Sequence, residues 1–326
     1  MLKQNIKSRV VGVDISNELT TYAIVDVRGN ILAESSFPTN DYPDVNNFVS
    51  TLSERIVMLV ESNGGYENIR SIGLSSPSAS SVSGCIENAA NLPWKGVIPV
   101  AAMLRDRLGL AVALSNDSHV SALGEYTFGC AHGMKNFIII SLGVGLGSCF
   151  FTEGEDHKGH LGYAGEFGHT CVVDHGRDCG CGHKGCLEAY VGAAGIVCTA
   201  KKMMAESDAL SLMRGLEHIS PRTINDCCEK GDEMAKEVFR RTGYMLGLGL
   251  ANYASIIDPE AIILTGGISH AGQWFIDPVV ESFENHVFGN MRGKVNILVS
   301  PLNDRERDVL GASVLAWSVP EYSLFK

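Results

Sequence analysis

Long hydrophobic runs are missing from this chain of 326 residues: 45% of it is hydrophobic, yet no apolar stretch approaches the roughly 18 residues that a membrane-spanning helix needs. A globular protein in solution is the expectation. An apolar signal core is lacking too, since Met1 to Arg9 is polar and basic and runs straight into Val10-Val11-Gly12-Val13 without a small-residue cleavage site. Export is not expected. Basic residues are scarce, 26 Lys and Arg against 37 Asp and Glu for a formal charge of −11, and no basic stretch offers a face that could track phosphates. The first strand is expected near Arg9, which leaves no room ahead of it for a helix-turn-helix. Nucleic acid is therefore not an expected partner. The ten cysteines are too sparse for a disulfide scaffold, and three of them crowd between Cys179 and Cys186, as metal ligands do in a reducing compartment. These features together point to the cytoplasm.

The length exceeds what one hydrophobic core usually serves, so two domains are expected, meeting at a cleft where a small ligand binds. From Arg9 the sequence alternates apolar runs with polar turns: VVGVDI, TTYAIVDV, the Arg28-Gly29-Asn30 turn, then ILAESSF. That rhythm predicts a strand meander. It returns from Phe137 as FIIISLGVG and GSCFFTEGE, with Gly154 to Gly159 as the next turn, so the chain reads as internally duplicated. Helical periodicity predicts a helix over Asp44 to Glu61, where Val45, Phe48, Val49, Leu52, Ile56, Leu59 and Val60 share a face, and another over Glu233 to Ala254. Strands are predicted at Ile69 to Ser75 and at Ala261 to Leu264, the latter ending on Gly266-Gly267. Alternating strands and helices imply an α/β protein. The expected division is an N-terminal α/β domain, 1–117, and a larger α/β domain, 118–304, that carries the cysteine cluster. A final helical pattern at Asp308 to Trp317, within about 305–318, is expected to rejoin the first domain.

The segment from Cys179 to Cys186 reads Cys-Gly-Cys-Gly-His-Lys-Gly-Cys and follows His169 and Cys171. Structural zinc takes four Cys or His ligands tetrahedrally, and glycines let a short loop wrap the ion. Three cysteines need a fourth ligand, for which His169, His183 and Cys171 are the candidates. His169 comes from a preceding element and would close a larger loop, so it is preferred; the bland alternative is a turn of unmetallated thiols. The cysteines outside the preferred set, Cys85, Cys130, Cys149, Cys171, Cys198, Cys227 and Cys228, read as small buried apolar residues. Asn116-Asp117, at the end of a predicted strand, reads on its own as a helix N-cap. Gly143-Val144-Gly145-Leu146-Gly147 is a glycine-rich strand turn whose N–H groups could approach phosphate oxygens, although such hairpins are common.

Five segments in order resemble the ROK family of sugar kinases and sugar-responsive repressors, from about Val10 to the C-terminus. They are NLPW at Asn91 to Trp94, SNDSHVSALGE at Ser115 to Glu125, GYAGEFGH at Gly162 to His169, CGCGHKGCLE at Cys179 to Glu188, and LTGGIS at Leu264 to Ser269. The resemblance implies an α/β, two-domain actin-like or hexokinase-like (ribonuclease H-like) fold with an active-site cleft that closes on a sugar and ATP. It assigns structural Zn2+ to His169, Cys179, Cys181 and Cys186. It further implies that Asn91, Asn116, Asp117, Glu166, His169 and Glu188 meet the sugar hydroxyls. Asp14, Gly143, Gly145, Gly147, Gly266 and Gly267 would face the nucleotide, Mg2+ would arrive with ATP, and the protein would be a homodimer.

Phosphoryl transfer to a hydroxyl needs a carboxylate that accepts the hydroxyl proton, and in this light Asp117 becomes the expected base. Glu166 and Glu188 supply acceptors that orient a sugar, and His169 could give one ring nitrogen to zinc and the other to the sugar. The nucleotide half departs from the family. Kinases of this kind carry Asp-x-Gly-Gly-Thr at the first phosphate turn, where this chain has Asp14-Ile15-Ser16-Asn17-Glu18-Leu19, with Val144 in place of the usual threonine at the second. Glu18 adds negative charge where phosphates would approach. The Pro- and Ser-rich Ser75 to Ser83 also departs from the usual sugar loop. The expectation is an ATP-dependent kinase of the 6-hydroxyl of glucose or a related hexose. Its alternative is a sugar-binding protein of weak or lost kinase activity, acting as a sensor or regulator.

Overall fold

The computed structural model describes residues 7–89, 91–160 and 162–320. They form two compact units: one takes in the residues up to His132 and those from Pro301 onward, and the other runs from Gly133 to Ser300. Among the described residues, no helix is long and apolar enough to cross a membrane.

The first unit begins with strands β1 (Arg9–Ile15), β2 (Leu19–Asp26) and β3 (Ile31–Pro38), followed by helix α1 (Val45–Glu61). Strand β4 (Ile69–Ser76) then leads to the short strands β5 (Ala79–Ser80), β6 (Cys85–Glu87) and β7 (Val97–Ile98). Helix α2 (Val100–Leu108), strand β8 (Ala111–Asn116) and helix α3 (Asp117–Phe128) complete this stretch. The main sheet has the order β3-β2-β1-β4-β8, antiparallel through the β1–β2–β3 meander and parallel from β1 to β4 to β8.

Strands covered on both faces read as continuous apolar runs, and β1 is one. Val11, Val13 and Ile15 pack with Phe48, Val49, Leu52 and Ile56 of α1, whereas Val10 packs with Val309, Leu310 and Ala316 near the C-terminus. Each fully buried side chain of this kind stabilises the fold by roughly 1.5–3 kcal/mol. Helix α1 starts where Asp44 accepts the N–H of Asn47 at 2.9 Å, satisfying one of the donors left open at a helix N-terminus.

The second unit repeats the plan. Strands β9 (Phe137–Leu142), β10 (Leu146–Thr152) and β11 (Glu155–Asp156) form the meander. Helices α4 (Glu188–Val191), α5 (Ala193–Glu206), α6 (Pro221–Glu229) and α7 (Glu233–Ile257) follow. Strand β12 (Ala261–Thr265), helix α8 (Gln273–His286) and strand β13 (Asn296–Val299) close the unit. Its sheet order, β11-β10-β9-β12-β13, has the same two antiparallel and two parallel neighbours as the first. The duplicated rhythm of the sequence is thus a duplicated sheet.

Helix α9 (Asp304–Ser318) belongs to the first unit and lies flush on its sheet. A Cβ at Gly73 of β4 would come within 1.9 Å of the Ala312 carbonyl oxygen, and one at Gly311 within 1.9 Å of the Val120 carbonyl oxygen of α3. Only glycine permits backbones this close. Helix α3, which begins at the boundary expected near residue 118, also belongs to this unit, tied to α9 by a Ser121 Oγ to Asp308 Oδ1 bond of 2.6 Å.

Candidate functional site

His169 ends a single 3-10 turn, Phe167–His169, that follows Glu166. Nothing in so short a turn would hold its shape alone, and the neighbouring side chains supply the hold. Tyr253 of α7 stacks on Phe167 with ring centroids 4.0 Å apart, donates its hydroxyl to the Phe167 carbonyl at 2.6 Å, and touches Thr170 Oγ1 at 2.5 Å. Burial pushes the Tyr253 phenol up to about 12, so it keeps its proton. Ser148 of β10 accepts the Phe167 N–H at 3.1 Å and donates to the Gly165 carbonyl.

The cysteine loop folds as a miniature ribbon, with Cys171 opposite Cys186 and Asp178 opposite Lys184. Cys179 N–H donates to the His183 carbonyl at 2.9 Å, and Gly185 N–H to the Arg177 carbonyl at 2.7 Å. The ligand atoms of His169, Cys179, Cys181 and Cys186 all lie within 4.8 Å of one another. Zn–S bonds of about 2.3 Å at tetrahedral angles give S–S edges of about 3.8 Å. Cys181 Sγ lies 3.7 Å from Cys186 Sγ, and Cys179 Sγ lies 3.7 Å from His169 Nδ1. Donor types and spacing therefore fit a tetrahedral zinc ion. His183 is outside this group, and the Cys171 thiol is 3.5 Å from the Val173 carbonyl. Burial pushes the Cys186 thiol up to about 12, while the His183 amide pulls that of Cys181 down. A metal entering here displaces protons.

Two carboxylates flank the cluster. Glu166 Oε2 is 3.9 Å from His169 Nε2, the ring nitrogen away from Cys179. Glu188 opens α4, with Oε1 at 3.9 Å from Cys179 Sγ and Oε2 accepting the Leu146 N–H at 2.9 Å. The second unit thus brings Glu166 and Glu188 beside the four candidate ligands, His169 among them.

In the first unit Asn116 and Asp117 stand at the junction of β8 and α3. Asn116 is the N-cap, its side-chain oxygen accepting the Ser118 N–H at 3.0 Å, and Asp117 Oδ1 accepts the same N–H at 2.7 Å. The cap read from sequence and a placement at the end of a strand are thus the same local geometry, and both residues are half-buried there. Burial raises the Asp117 carboxyl above its ordinary range, against the lowering pull of Ser118 and His119. Asp14, near the end of β1, is pushed up to about 8 by burial and by the charges of Asp308 and Asp117, against Ser75 and Arg307. Asp308 is pushed up to about 6 by burial, moderated by Arg307 and Ser121. Asn91 is exposed at the head of a loop anchored by buried Leu92 and Trp94, whose indole N–H donates to the Tyr42 carbonyl at 2.9 Å.

The glycine positions are not alike. Gly143 and Gly145 form the tight turn from β9 to β10, closed by Gly143 N–H to the Gly145 carbonyl at 3.1 Å, whereas Gly147 is a paired strand residue opposite Ser141. Gly266 needs its glycine, with φ of +83° and a Cβ position 2.4 Å from the Leu142 carbonyl oxygen; beside Gly267 there is open space. At the first turn, Ser16 takes over the closure: its Oγ donates to the Leu19 carbonyl at 2.8 Å, and Asn17 and Glu18 are exposed. Sequence reasoning missed Tyr253, Arg177, Arg307 and Asp308. Arg307 is only 2% exposed, and the signal for it was a charged residue on the apolar face of the last helix.

The model of the ROK family matches residues 10–319. The chain belongs to the ROK family. A glucokinase of Streptomyces coelicolor is 31% identical over 314 residues, covering 94% of this chain and 96% of the relative. A xylose repressor of Caldicellulosiruptor bescii is 29% identical over 247 residues, 74% of this chain and 61% of the repressor. Among solved structures, a ROK family glucokinase from Streptomyces griseus in complex with glucose and AMPPNP superposes with a TM-score of 0.80 at 30% identity, covering 95% of this chain and 100% of that one. The fold of this ROK protein is accordingly the actin-like, hexokinase-like one, and both kinases and repressors stand among its relatives.

Proposed function

We propose that this protein is an ATP-dependent sugar kinase that phosphorylates the 6-hydroxyl of glucose or a related hexose, with Asp117 as the base. The observation that carries the reading is the carboxylate of Asp117, raised in basicity by burial and fixed at the strand end by the Ser118 amide, in a chain similar over nearly its whole length to a glucokinase. The sugar oxygen attacks the γ-phosphorus, the bond from that phosphorus to the bridging oxygen of ADP breaks, and Asp117 takes the hydroxyl proton. Mg2+ arriving with ATP would offset the phosphate charge.

In this reading Asn91, Asn116, Asp117, Glu166, His169 and Glu188 orient the sugar. A structural zinc held by His169, Cys179, Cys181 and Cys186 fixes Glu166, His169 and Glu188 around the sugar, while Asp14 and the glycines Gly143, Gly145, Gly147, Gly266 and Gly267 serve the nucleotide. The protein acts in the cytoplasm, as a homodimer and without a nucleic-acid partner.

A second reading, a sugar-responsive protein of weak or lost kinase activity, is favoured by one feature: the first turn is closed by Ser16 with Glu18 exposed, and Val144 is 77% exposed on the second. A coupled assay with ATP, Mg2+ and a panel of hexoses separates the two. The kinase reading expects turnover that falls about 10²–10⁴-fold in Asp117→Asn with sugar affinity kept within severalfold. Glucose binding by calorimetry without ATP consumption on any hexose would establish the sensor instead.

A further inference from the structure

The glycine turn and the metal loop share one carboxylate. Glu188 Oε2 accepts the Leu146 N–H at 2.9 Å, and a Cβ at Gly145 would lie 2.3 Å from that oxygen, so glycine there lets the carboxylate reach the next amide. The turn is seated a second time by Ala193 N–H, at the start of α5, donating to the Gly143 carbonyl at 3.0 Å. On its other side Glu188 belongs to the metal loop: Oε1 is 3.9 Å from Cys179 Sγ, and Cys186 precedes it by two residues.

Arg177 locks the two parts together. Its guanidinium donates to the carbonyls of Ala189 at 3.2 Å and Gly195 at 2.9 Å and to Thr199 Oγ1 at 2.9 Å, and it lies 4.6 Å from the Tyr190 ring centroid. Its own carbonyl accepts the Gly185 N–H at 2.7 Å, inside the cysteine loop. A displacement of that loop therefore acts on α4, and through the first residue of α4 on Leu146.

We infer that Glu188 is a positioning residue for the glycine-rich turn, and that it carries the state of the metal loop to that turn through the Leu146 amide. Its consequence for nucleotide binding rests on the kinase reading; the contact itself does not. Zinc is then a determinant of the phosphate side as well as the sugar side.

The test follows amide hydrogen exchange at Leu146 in the full chain, in the zinc-loaded wild type, the same protein stripped with a chelator, Glu188→Asp and Glu188→Gln, with zinc content measured in each. Asp is one methylene too short to reach, so exchange accelerates about tenfold to a hundredfold on loss of a charge-assisted bond; Gln keeps both reach and acceptor and stays within severalfold of wild type. Stripping zinc accelerates wild type and adds little to Glu188→Asp. Equal exchange in wild type and Glu188→Asp, no response to stripping, or a wild type that takes up no zinc overturns the inference. Calorimetry with AMPPNP is a separate arm: weaker binding in Glu188→Asp with recovery in Glu188→Gln supports the coupling to nucleotide. Absence of AMPPNP binding in every form overturns the kinase reading, while amide exchange still decides the role of Glu188.

Discussion

Removing the hydroxyl of Tyr253, as in Tyr253→Phe, isolates what holds the turn that carries His169. The hydroxyl makes two short contacts, to the Phe167 carbonyl at 2.6 Å and to Thr170 Oγ1 at 2.5 Å, while the ring stack on Phe167 is untouched by the change. The Phe167 carbonyl is not orphaned, because Thr170 Oγ1 donates to it at 2.8 Å. The loss is therefore that of a satisfied hydrogen bond, about 1 kcal/mol, without the added cost of an unpaired buried acceptor. If that energy is spent on ordering the turn, zinc affinity measured by chelator competition falls about fivefold, with a similar loss in sugar affinity. Tyr253→Leu removes the stack as well and falls further. A Tyr253→Phe protein that is destabilised to urea by about 1 kcal/mol while zinc and sugar affinities are unchanged would refute the idea that Tyr253 sets the His169 geometry.

Three further outcomes are expected. Gly73→Ala drives a Cβ to 1.9 Å from the Ala312 carbonyl oxygen, a backbone atom that cannot swing away, so chemical unfolding should show a loss of about 1–3 kcal/mol or more; a loss under about 0.5 kcal/mol contradicts the flush packing of α9. The folded protein holds the Asp14 proton more tightly than the unfolded chain, so this group's contribution is fully present below about pH 3.8 and fades as pH rises to about 8. Asp308→Asn removes a repelling charge and should move the upper end of that fade to lower pH in unfolding titrations; an unchanged profile counts against their proximity. Cys186→Ser replaces a buried thiol within the candidate ligand set, so zinc uptake from a zinc-containing buffer should be reduced severalfold or more against the wild type, and uptake by the wild type should weaken as pH falls because protons compete for the thiolates.

Much of this was legible beforehand because local signals carried it. The α1 helix follows from its apolar spacing, α7 from its long helical pattern, and β12 from a short apolar run ending at glycine. The cysteine spacing placed three sulfurs on one loop, which a short glycine-rich ribbon enforces. What could not be read were contacts between residues far apart in sequence. Tyr253 meets Phe167 across 86 residues, Arg307 meets Ser121 across 186, and nothing in either neighbourhood marks the pairing. The reach of Glu188 to Leu146 was hidden for the same reason, although both segments had been singled out.

The flush seat of α9 bears on how the chain is made. Strand β1 leaves the ribosome well before α9, yet part of the cover of Val10 and of the bare backbone of Gly12 comes from Val309 and its neighbours. The second unit, continuous in sequence, can complete its core while still tethered; the first must wait with one sheet face incompletely covered until α9 has emerged. A stall or truncation before residue 304 leaves Val10 of β1 without Val309, Leu310 and Ala316, so the burial of one face of that strand is decided about 300 residues downstream.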